Sequence, residues 1–329
     1  MNKIILITFL FSSLFVCSSN SKTDVHALDN KCTDSAIHCD STFNIDIKDF
    51  KMRDPFVFVD TIGKSYFIQS SSNDNKSFTV FESKDLKKWK NLGKSFEAST
   101  DFWGKLDFWA PDMFLYNGKY YIVSTFSSST VTRGCGILVS DYPQGPYLPL
   151  VNNPITPSGW RCCDGTLLIE KGEPYLLYAS SHTQFGLGYI YIQKLSTDLK
   201  TMAGEPILIT KAADASWVKN ITVKGVVGLV GDSPFIYRTA ENELIMLWSS
   251  FALSNEKYCI GVARSASGSV IGPWEHDAAP LNDDDGGHAM IFKSFEGKTK
   301  ISYHATNSHP SYVTISNFEV NKGVIKIIK

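Results

Sequence analysis

Acidic side chains stand at the start of short apolar segments along much of the chain. Four of five recurring segments begin with an aspartate, and the fifth begins with a histidine: Asp54, Asp112 after Pro111, Asp164, Asp232 and His288. Carboxylates that are held together can take up and release protons during hydrolysis, and with a histidine they can also bind a cation. These residue types and their spacing therefore indicate acid–base chemistry, a cation site, or both.

The segments that follow these residues predict β-hairpins. Each has a polar start, a short apolar stretch, a turn and a second apolar stretch, as in Pro111–Val123. The pattern recurs five times, at intervals of roughly 50 to 70 residues, and that length suits a propeller blade of four short strands. We therefore predict an all-β fold, a five-bladed β-propeller over residues 45–329. A β-sandwich is the alternative.

A propeller would bring the listed acidic residues together. The innermost strand of each blade lines the central channel, so the residues just before these strands surround one mouth of it. On this basis we interpret Asp54, Asp112, Asp164, Asp232 and His288 as occupants of equivalent positions around that mouth. For any one aspartate, the competing interpretation is a turn or a strand-start cap.

The N-terminus has the pattern of a secretory signal. A positive start is followed by a mostly apolar run from Ile4 to Val16 and then by small and polar residues. We predict a signal peptide over residues 1–19, a lead over residues 20–44 and the propeller domain after it. Leu14–Cys17 also has the form of a loose lipobox, although Val16 is larger than usual before the cysteine. The predicted location is therefore secreted or at the cell surface, with Cys17 as a candidate lipid anchor.

Composition excludes several classes of function. The 329 residues carry a net charge of −1, which argues against a nucleic-acid or anionic-membrane partner. The chain has no complete dinucleotide or phosphate-loop motif, so we expect no organic cofactor. Export permits disulfides, and Cys32 and Cys39 are the candidate pair in the lead. The pairing of the other cysteines is left open.

Five motifs carry a resemblance to a known family. They are Arg53-Asp54-Pro55, Phe108-Trp109-Ala110-Pro111-Asp112, Cys163-Asp164-Gly165-Thr166, Gly231-Asp232-Ser233-Pro234-Phe235 and Asp285-Gly286-Gly287-His288. Together they resemble glycoside hydrolase family 43, and in particular its exported bacterial branch. The resemblance implies a five-bladed propeller that hydrolyses α-L-arabinofuranosides, β-xylosides or related glycans with inversion of the anomeric carbon.

The resemblance also implies catalytic roles. Asp54 corresponds to the general base, and Asp164 corresponds to the carboxylate that orients the acid and raises its pKa. Asp232 stands where the family usually has a glutamate as general acid, so its shorter side chain is a departure from the pattern. A third nearby negative charge is physically suited to keep such an acid protonated. The related branch often has His-Glu-Trp after its third hairpin, where this chain has Ser180-Ser181-His182.

Three further residues have implied binding roles. His288 resembles a channel histidine that holds calcium or sodium in many family members. Trp109 resembles a pocket-wall residue that stacks on a sugar, and a core tryptophan is the alternative. Asp112 either binds a sugar hydroxyl or caps a strand.

The resulting hypothesis is an exported inverting glycoside hydrolase. It would remove α-L-arabinofuranosyl or β-D-xylosyl units from plant-type polysaccharides or oligosaccharides, with a glycan as its partner. The alternative is a non-catalytic carbohydrate-binding propeller with a degenerate acid site. An invertase-like fructosidase is disfavoured because the chain has no Asn-Asp-Pro-Asn and no Glu-Cys motif.

Overall fold

The computed structural model describes residues 43–72, 74, 76–223 and 225–328. Apart from one small two-stranded sheet, these residues form five consecutive antiparallel sheets of four or five strands, which confirms the predicted all-β five-bladed propeller. The predicted signal peptide, Cys17, Cys32 and Cys39 lie outside the described residues. None of the helices in the described part has the length and apolar character needed to cross a bilayer.

Blades one and two are formed by the first nine strands. Blade one has the strand order β1-β5-β4-β3-β2, with bounds β1 Ile45–Asp46, β2 Val57–Asp60, β3 Ser65–Ser71, β4 Ser77–Ser83 and β5 Lys88–Glu97. Blade two has the order β6-β7-β8-β9, with bounds β6 Leu106–Tyr116, β7 Lys119–Ser127, β8 Gly134–Ser140 and β9 Leu148–Pro149.

Blades three to five each contain four strands in sequence order. Blade three comprises β10 Cys162–Glu170, β11 Glu173–Ser180, β12 Tyr189–Lys194 and β13 Ile207–Lys211. After it comes a separate two-stranded sheet of β14 Ile221–Val223 and β15 Val226–Gly228. Blade four comprises β16 Asp232–Arg238, β17 Leu244–Phe251, β18 Tyr258–Ser265 and β19 Trp274–His276. Blade five comprises β20 Gly286–Lys293, β21 Thr299–Ala305, β22 Tyr312–Asn321 and β23 Val324–Ile328.

Three short helical turns lie between strands. They are α1 His182–Phe185 and two 3₁₀ turns, Ile47–Asp49 and Ala212–Asp214.

The first and last blades are joined by the chain before β2. Met52 N donates to Ser311 O at 3.0 Å, and Val313 N donates to Phe50 O at 2.9 Å. Such backbone bonds close a propeller into a ring.

Apolar side chains fill the space between neighbouring blades. The second strand of each blade is covered on both faces, and in β7 every residue after Lys119 is buried. This burial explains why the sequence shows continuous apolar runs instead of strict alternation. Between blades one and two lies an aromatic cluster in which Phe126 meets Phe102 and Phe108 edge-on, with ring centroids 5.1 and 4.9 Å apart. Through Phe108 the cluster packs against β6, the inner strand of blade two.

One backbone feature recurs at the start of every inner strand. A residue with left-handed backbone dihedrals stands there in each blade, with φ between 47° and 57°: Asp54, Ala110, Asp164, Ser233 and His288. In blades two to five it lies in a β-bulge. A bulge bends the strand and redirects a side chain, and aspartate and histidine tolerate this conformation better than most residues. In blades one, three and five the residues at this position are Asp54, Asp164 and His288, and their side chains converge.

The recurring feature corrects one sequence interpretation. Asp232 and Asp112 are not equivalent to Asp54, because Ser233 and Ala110 hold the left-handed position in their blades. Asp232 precedes that position by one residue, and Asp112 follows it by two. The extra residue that each bulge inserts is the physical reason, since it shifts the register without leaving a signal in the apolar pattern.

Candidate active site

Two of the predicted aspartates, Asp54 and Asp164, lie close to the imidazole of the predicted His288. Nδ1 of His288 lies 3.3 Å from Oδ1 of Asp54 and 4.0 Å from Oδ2 of Asp164. The three side chains are only 12 to 19% exposed. They come from blades one, three and five, so the ring closure of the propeller is what brings them together. The surrounding carboxylates outweigh burial and raise the pKa of His288.

Asp54 is held in its ionised form. Burial opposes ionisation, but the charge of His288, the hydrogen bond with His304 and the charges of His304 and Arg53 outweigh it. Together they keep the pKa of Asp54 well below its usual range. His304 is fully buried, and its Nδ1 lies 3.2 Å from Oδ1 of Asp54. Arg53 is itself fixed by Asn307, whose side-chain oxygen accepts from Nη2 at 3.0 Å. An ionised carboxylate at the channel mouth is a competent proton acceptor.

Two hydrogen bonds hold Asp164, one at its backbone and one at its carboxylate. Its backbone N donates to Oγ1 of Thr125 at 2.9 Å, and its Oδ2 accepts from the backbone N of Ser233 at 3.1 Å. Burial and the nearby charge of Asp54 raise the pKa of Asp164. The two hydrogen bonds hold this carboxylate near the imidazole of His288.

Asp232 has the environment of a proton donor. Burial, followed by the charge of Asp164, raises its pKa to about 7. One carboxylate oxygen of Asp164, one of Asp232 and Sγ of Cys163 lie within 4.8 Å of one another. Oδ2 of Asp232 accepts a hydrogen bond from the hydroxyl of Tyr258 at 3.3 Å. The ring of Tyr258 stacks on His304, with centroids 5.9 Å apart, and so contacts the group that holds Asp54.

Asp112 lines the same small cavity as Asp164 and His288. Its carboxylate is buried, and its Oδ1 has no hydrogen-bond partner among the described residues. Burial, with help from Asp164 and Asp54, raises its pKa to about 7. Asp112, Asp164 and His288 line a cavity of about 10 Å³, which has room for roughly one water molecule.

Two carboxylates of the site, those of Asp54 and Asp232, differ in their protonation. Asp54 is ionised, whereas Asp232 has a pKa near neutrality, which the charge of a third carboxylate, Asp164, helps to raise. A pair of titratable groups whose pKa values are pushed apart is the usual basis for assigning a base and an acid. Hydrolysis of an acetal linkage requires both, and it needs no redox group.

A family profile covers nearly all of the described chain. The profile of glycosyl hydrolases family 43 matches residues 44–319. The chain belongs to glycosyl hydrolase family 43. The resemblance inferred from the five motifs is thereby confirmed, and the family 43 chain is a glycoside hydrolase whose substrate is a glycan.

Solved structures place this family 43 chain among close and distant relatives. It is similar to an endo-arabinase from Bacteroides thetaiotaomicron, with 49% identity, a TM-score of 0.84 and coverage of 86% of this chain and 99% of that one. A thermostable family-43 glycoside hydrolase shares 23% identity, with a TM-score of 0.72 and coverage of 84% and 92%. An α-L-arabinofuranosidase from Lactobacillus brevis shares 16%, with a TM-score of 0.66 and coverage of 84% and 95%. The two distant structures share the fold.

Trp109 is a surface residue of this site. Its side chain is 40% exposed, so the alternative of a core tryptophan is wrong. The guanidinium of Arg133 lies over the ring, 4.3 Å from its centroid, and occupies one face. Stacking of a sugar on Trp109 stays a prediction, and Arg133 leaves only the opposite face for it.

Two site residues were missed from the sequence. His304 and Tyr258 lie on β21 and β18, which are the second strand of blade five and the third strand of blade four. Neither residue belongs to a motif at the start of an inner strand, where the acidic residues of the sequence pattern stand. The catalytic roles of Asp54, Asp164 and Asp232 are not decided by the geometry and stay predictions.

The residues around His288 fit a cation. Its Nδ1 is engaged with Asp54, and its Nε2 makes no hydrogen bond to the described residues. The adjacent cavity presents the unpartnered oxygen of Asp112 and the carboxylate of Asp164. Buried carboxylate oxygens in excess of nearby positive charge are the donor set that hard cations prefer.

The cysteines of the described part are not cross-linked. Cys135, Cys162, Cys163 and Cys259 are free and buried. A disulfide among these four is therefore absent from the propeller. A Cys32–Cys39 bond lies outside the described residues and stays a prediction.

Proposed function

We propose that this chain is an exported enzyme that hydrolyses α-L-arabinofuranosyl linkages of plant-type polysaccharides or oligosaccharides with inversion. The observation that carries the proposal is the 49% identity to an endo-arabinase over 86% of the chain. The removal of β-D-xylosyl units is the second substrate class and is tested beside it. The apolar run from Ile4 to Val16 supports export to a secreted or cell-surface location.

In this proposal Asp54 activates the attacking water. Its carboxylate is ionised and stands at the channel mouth, where Oδ1 is oriented by His304 and His288. A water bound to it would lose a proton as its oxygen attacks the anomeric carbon. The base and the leaving group lie on opposite faces of the sugar in an inverting reaction.

Asp232 gives the proton to the leaving oxygen. Burial and the charge of Asp164 keep it protonated up to a pH of about 7. Asp164 does not react; its anchored carboxylate supplies the charge that raises the pKa of the acid. Acid–base assistance of this kind contributes roughly 10²- to 10⁴-fold in rate.

The test is a turnover assay of the purified mature protein. We expect hydrolysis of linear α-1,5-arabino-oligosaccharides and of 4-nitrophenyl α-L-arabinofuranoside, with less hydrolysis of the β-D-xyloside. The sizes of the oligosaccharide products separate internal cleavage from release of single units. Faster hydrolysis of the xyloside would transfer the proposal to xylosyl linkages, and no turnover of any of these substrates would overturn it.

We also propose a calcium or sodium ion at His288. Nε2 of His288, with Asp112 and Asp164 nearby, would hold it. When bound, the ion would offset part of the negative charge of the catalytic carboxylates.

Removal of the ion is expected to lower both kcat and the melting temperature. The protein is treated with a chelator in a sodium-free buffer, and calcium or sodium is then added back separately. Recovery with one ion identifies it. Unchanged activity and melting temperature in a buffer free of both ions would contradict the proposed ion site.

A further inference from the structure

A polar cleft opens beside the catalytic carboxylates. It has a volume of about 350 Å³ and is lined by the loop Ser127–Arg133 together with Asp107 and Arg161. The backbone N of Cys162 donates to the O of Arg133 at 3.0 Å, and Asp164 follows two residues later on β10. The cleft therefore lies next to the reacting centre, between blades two and three.

Arg133 is held rigidly at this cleft. Its Nε donates to Oδ2 of Asp107 at 2.9 Å, and Ser127 Oγ donates to the same oxygen at 2.7 Å. Its guanidinium carbon also lies over the ring of Trp109, 4.3 Å from the centroid. The two Nη groups have no hydrogen-bond partner among the described residues. A fixed guanidinium with two free terminal amines can form paired hydrogen bonds with a carboxylate or sulfate.

Arg161 adds a second positive charge. Its side chain is exposed, and its hydrogen bond goes from Nη1 to the neutral Oγ1 of Thr183 at 3.3 Å. Within the described part of the chain it forms no ion pair, whereas Arg238 and Arg264 both pair with acids. An exposed arginine with no acidic partner leaves its charge available to a ligand.

The rest of the lining suits a sugar. Ser128, Ser129, Thr130 and Thr132 place hydroxyl groups along one wall, and Val131 is the single apolar residue of the loop. Two guanidinium groups and a single carboxylate give the lining an excess of positive charge. A neutral arabinosyl or xylosyl residue would use the hydroxyl groups but would leave that charge unmatched.

We propose that this cleft is a subsite for a glycan residue that bears an anionic group, a uronic acid carboxylate or a sulfate, close to the bond that is hydrolysed. Arg161 and the Nη groups of Arg133 bind the anion, and the loop hydroxyls bind the ring. The proposal rests on the glycosidase site of the proposed function, and it narrows the substrate to an acidic heteroglycan.

The experiment measures binding instead of turnover. Calorimetry uses the full chain carrying Asp54→Asn, so that no probe is consumed. The probes are tetragalacturonate and glucuronosyl-xylotetraose, each compared with its own methyl ester, which removes the charge and keeps the sugar. A sulfated xylotetraose separates sulfate from carboxylate. Because turnover is not needed, failure of the arabinanase assay leaves this measurement interpretable.

We expect at least one acidic probe to bind about 10- to 100-fold more tightly than its neutral form, as for a hydrogen-bonded charge pair. Adding Arg161→Gln should remove most of that difference, and added salt should reduce it. Arg238→Gln, outside the cleft, serves as the control and should leave it unchanged. Equal binding of every acid and its neutral form, or equal losses in Arg161→Gln for both forms, would overturn the proposal.

Discussion

Replacing Asp54 with asparagine is expected to abolish hydrolysis, with a fall in kcat of about 10²- to 10⁴-fold or more. The amide cannot accept the proton of the attacking water, although it preserves the shape of the side chain. Asparagine also tolerates the left-handed backbone at this position, where φ is 53°, so we expect the variant to fold. The measurement is kcat and KM on α-1,5-arabino-oligosaccharides, with the melting temperature recorded in parallel.

The control for this variant is Asp141→Asn. Asp141 is exposed and forms a surface ion pair with Lys119, so its loss should leave kcat unchanged. Sugar binding by Asp54→Asn should persist. A near-native rate in the variant would exclude Asp54 as the base, and a large drop in melting temperature would assign it a structural role instead.

The second large effect concerns the acid. Asp232→Asn should reduce hydrolysis of oligosaccharides, which have poor leaving groups, by about 10²- to 10⁴-fold. Aryl glycosides should lose much less, because 4-nitrophenolate leaves without protonation. The pKa of Asp232 is about 7, and the acid works only when protonated. Wild-type activity on oligosaccharides should therefore fall as the pH rises through about 7, and the variant should lose this alkaline limb.

Asp232→Glu provides the matched comparison. It keeps the carboxyl group and restores the longer side chain that the family usually has at this position. Retained activity in this variant, beside the loss in Asp232→Asn, would assign the effect to the proton. Equal losses of Asp232→Asn on activated and unactivated substrates would count against an acid role, as would an alkaline limb that does not move.

The fold was predictable because its signal is repeated. Five hairpins with similar apolar stretches, as in Pro111–Val123, leave little choice beyond a propeller, and the structure has five blade sheets in that order. Asp54, Asp164 and His288 were also predicted to lie together, and the structure brings their side chains together. Each starts an inner strand, and inner strands of a closed ring must meet at the channel.

The remaining site residues depend on geometry that sequence patterns do not record. The bulge at Ser233 moves Asp232 out of the repeated position, and one inserted residue does not alter the apolar pattern. Tyr258 and His304 reach the site from strands farther from the channel, so only the packing between blades reveals them. The contact of Arg133 with Trp109 joins a loop to a strand and has no sequence signature.

The left-handed residue at the start of each inner strand makes the five blades alike in backbone while their side chains differ. Blade two holds Ala110 at this point, whose methyl group has no polar atom. An aspartate or asparagine there would need no new backbone conformation. The five inner strands thus share one backbone position at which the side chain varies, and four of the five blades have a polar residue there. A single substitution at one of these positions would change the polar side chains at the channel mouth without requiring a new backbone conformation.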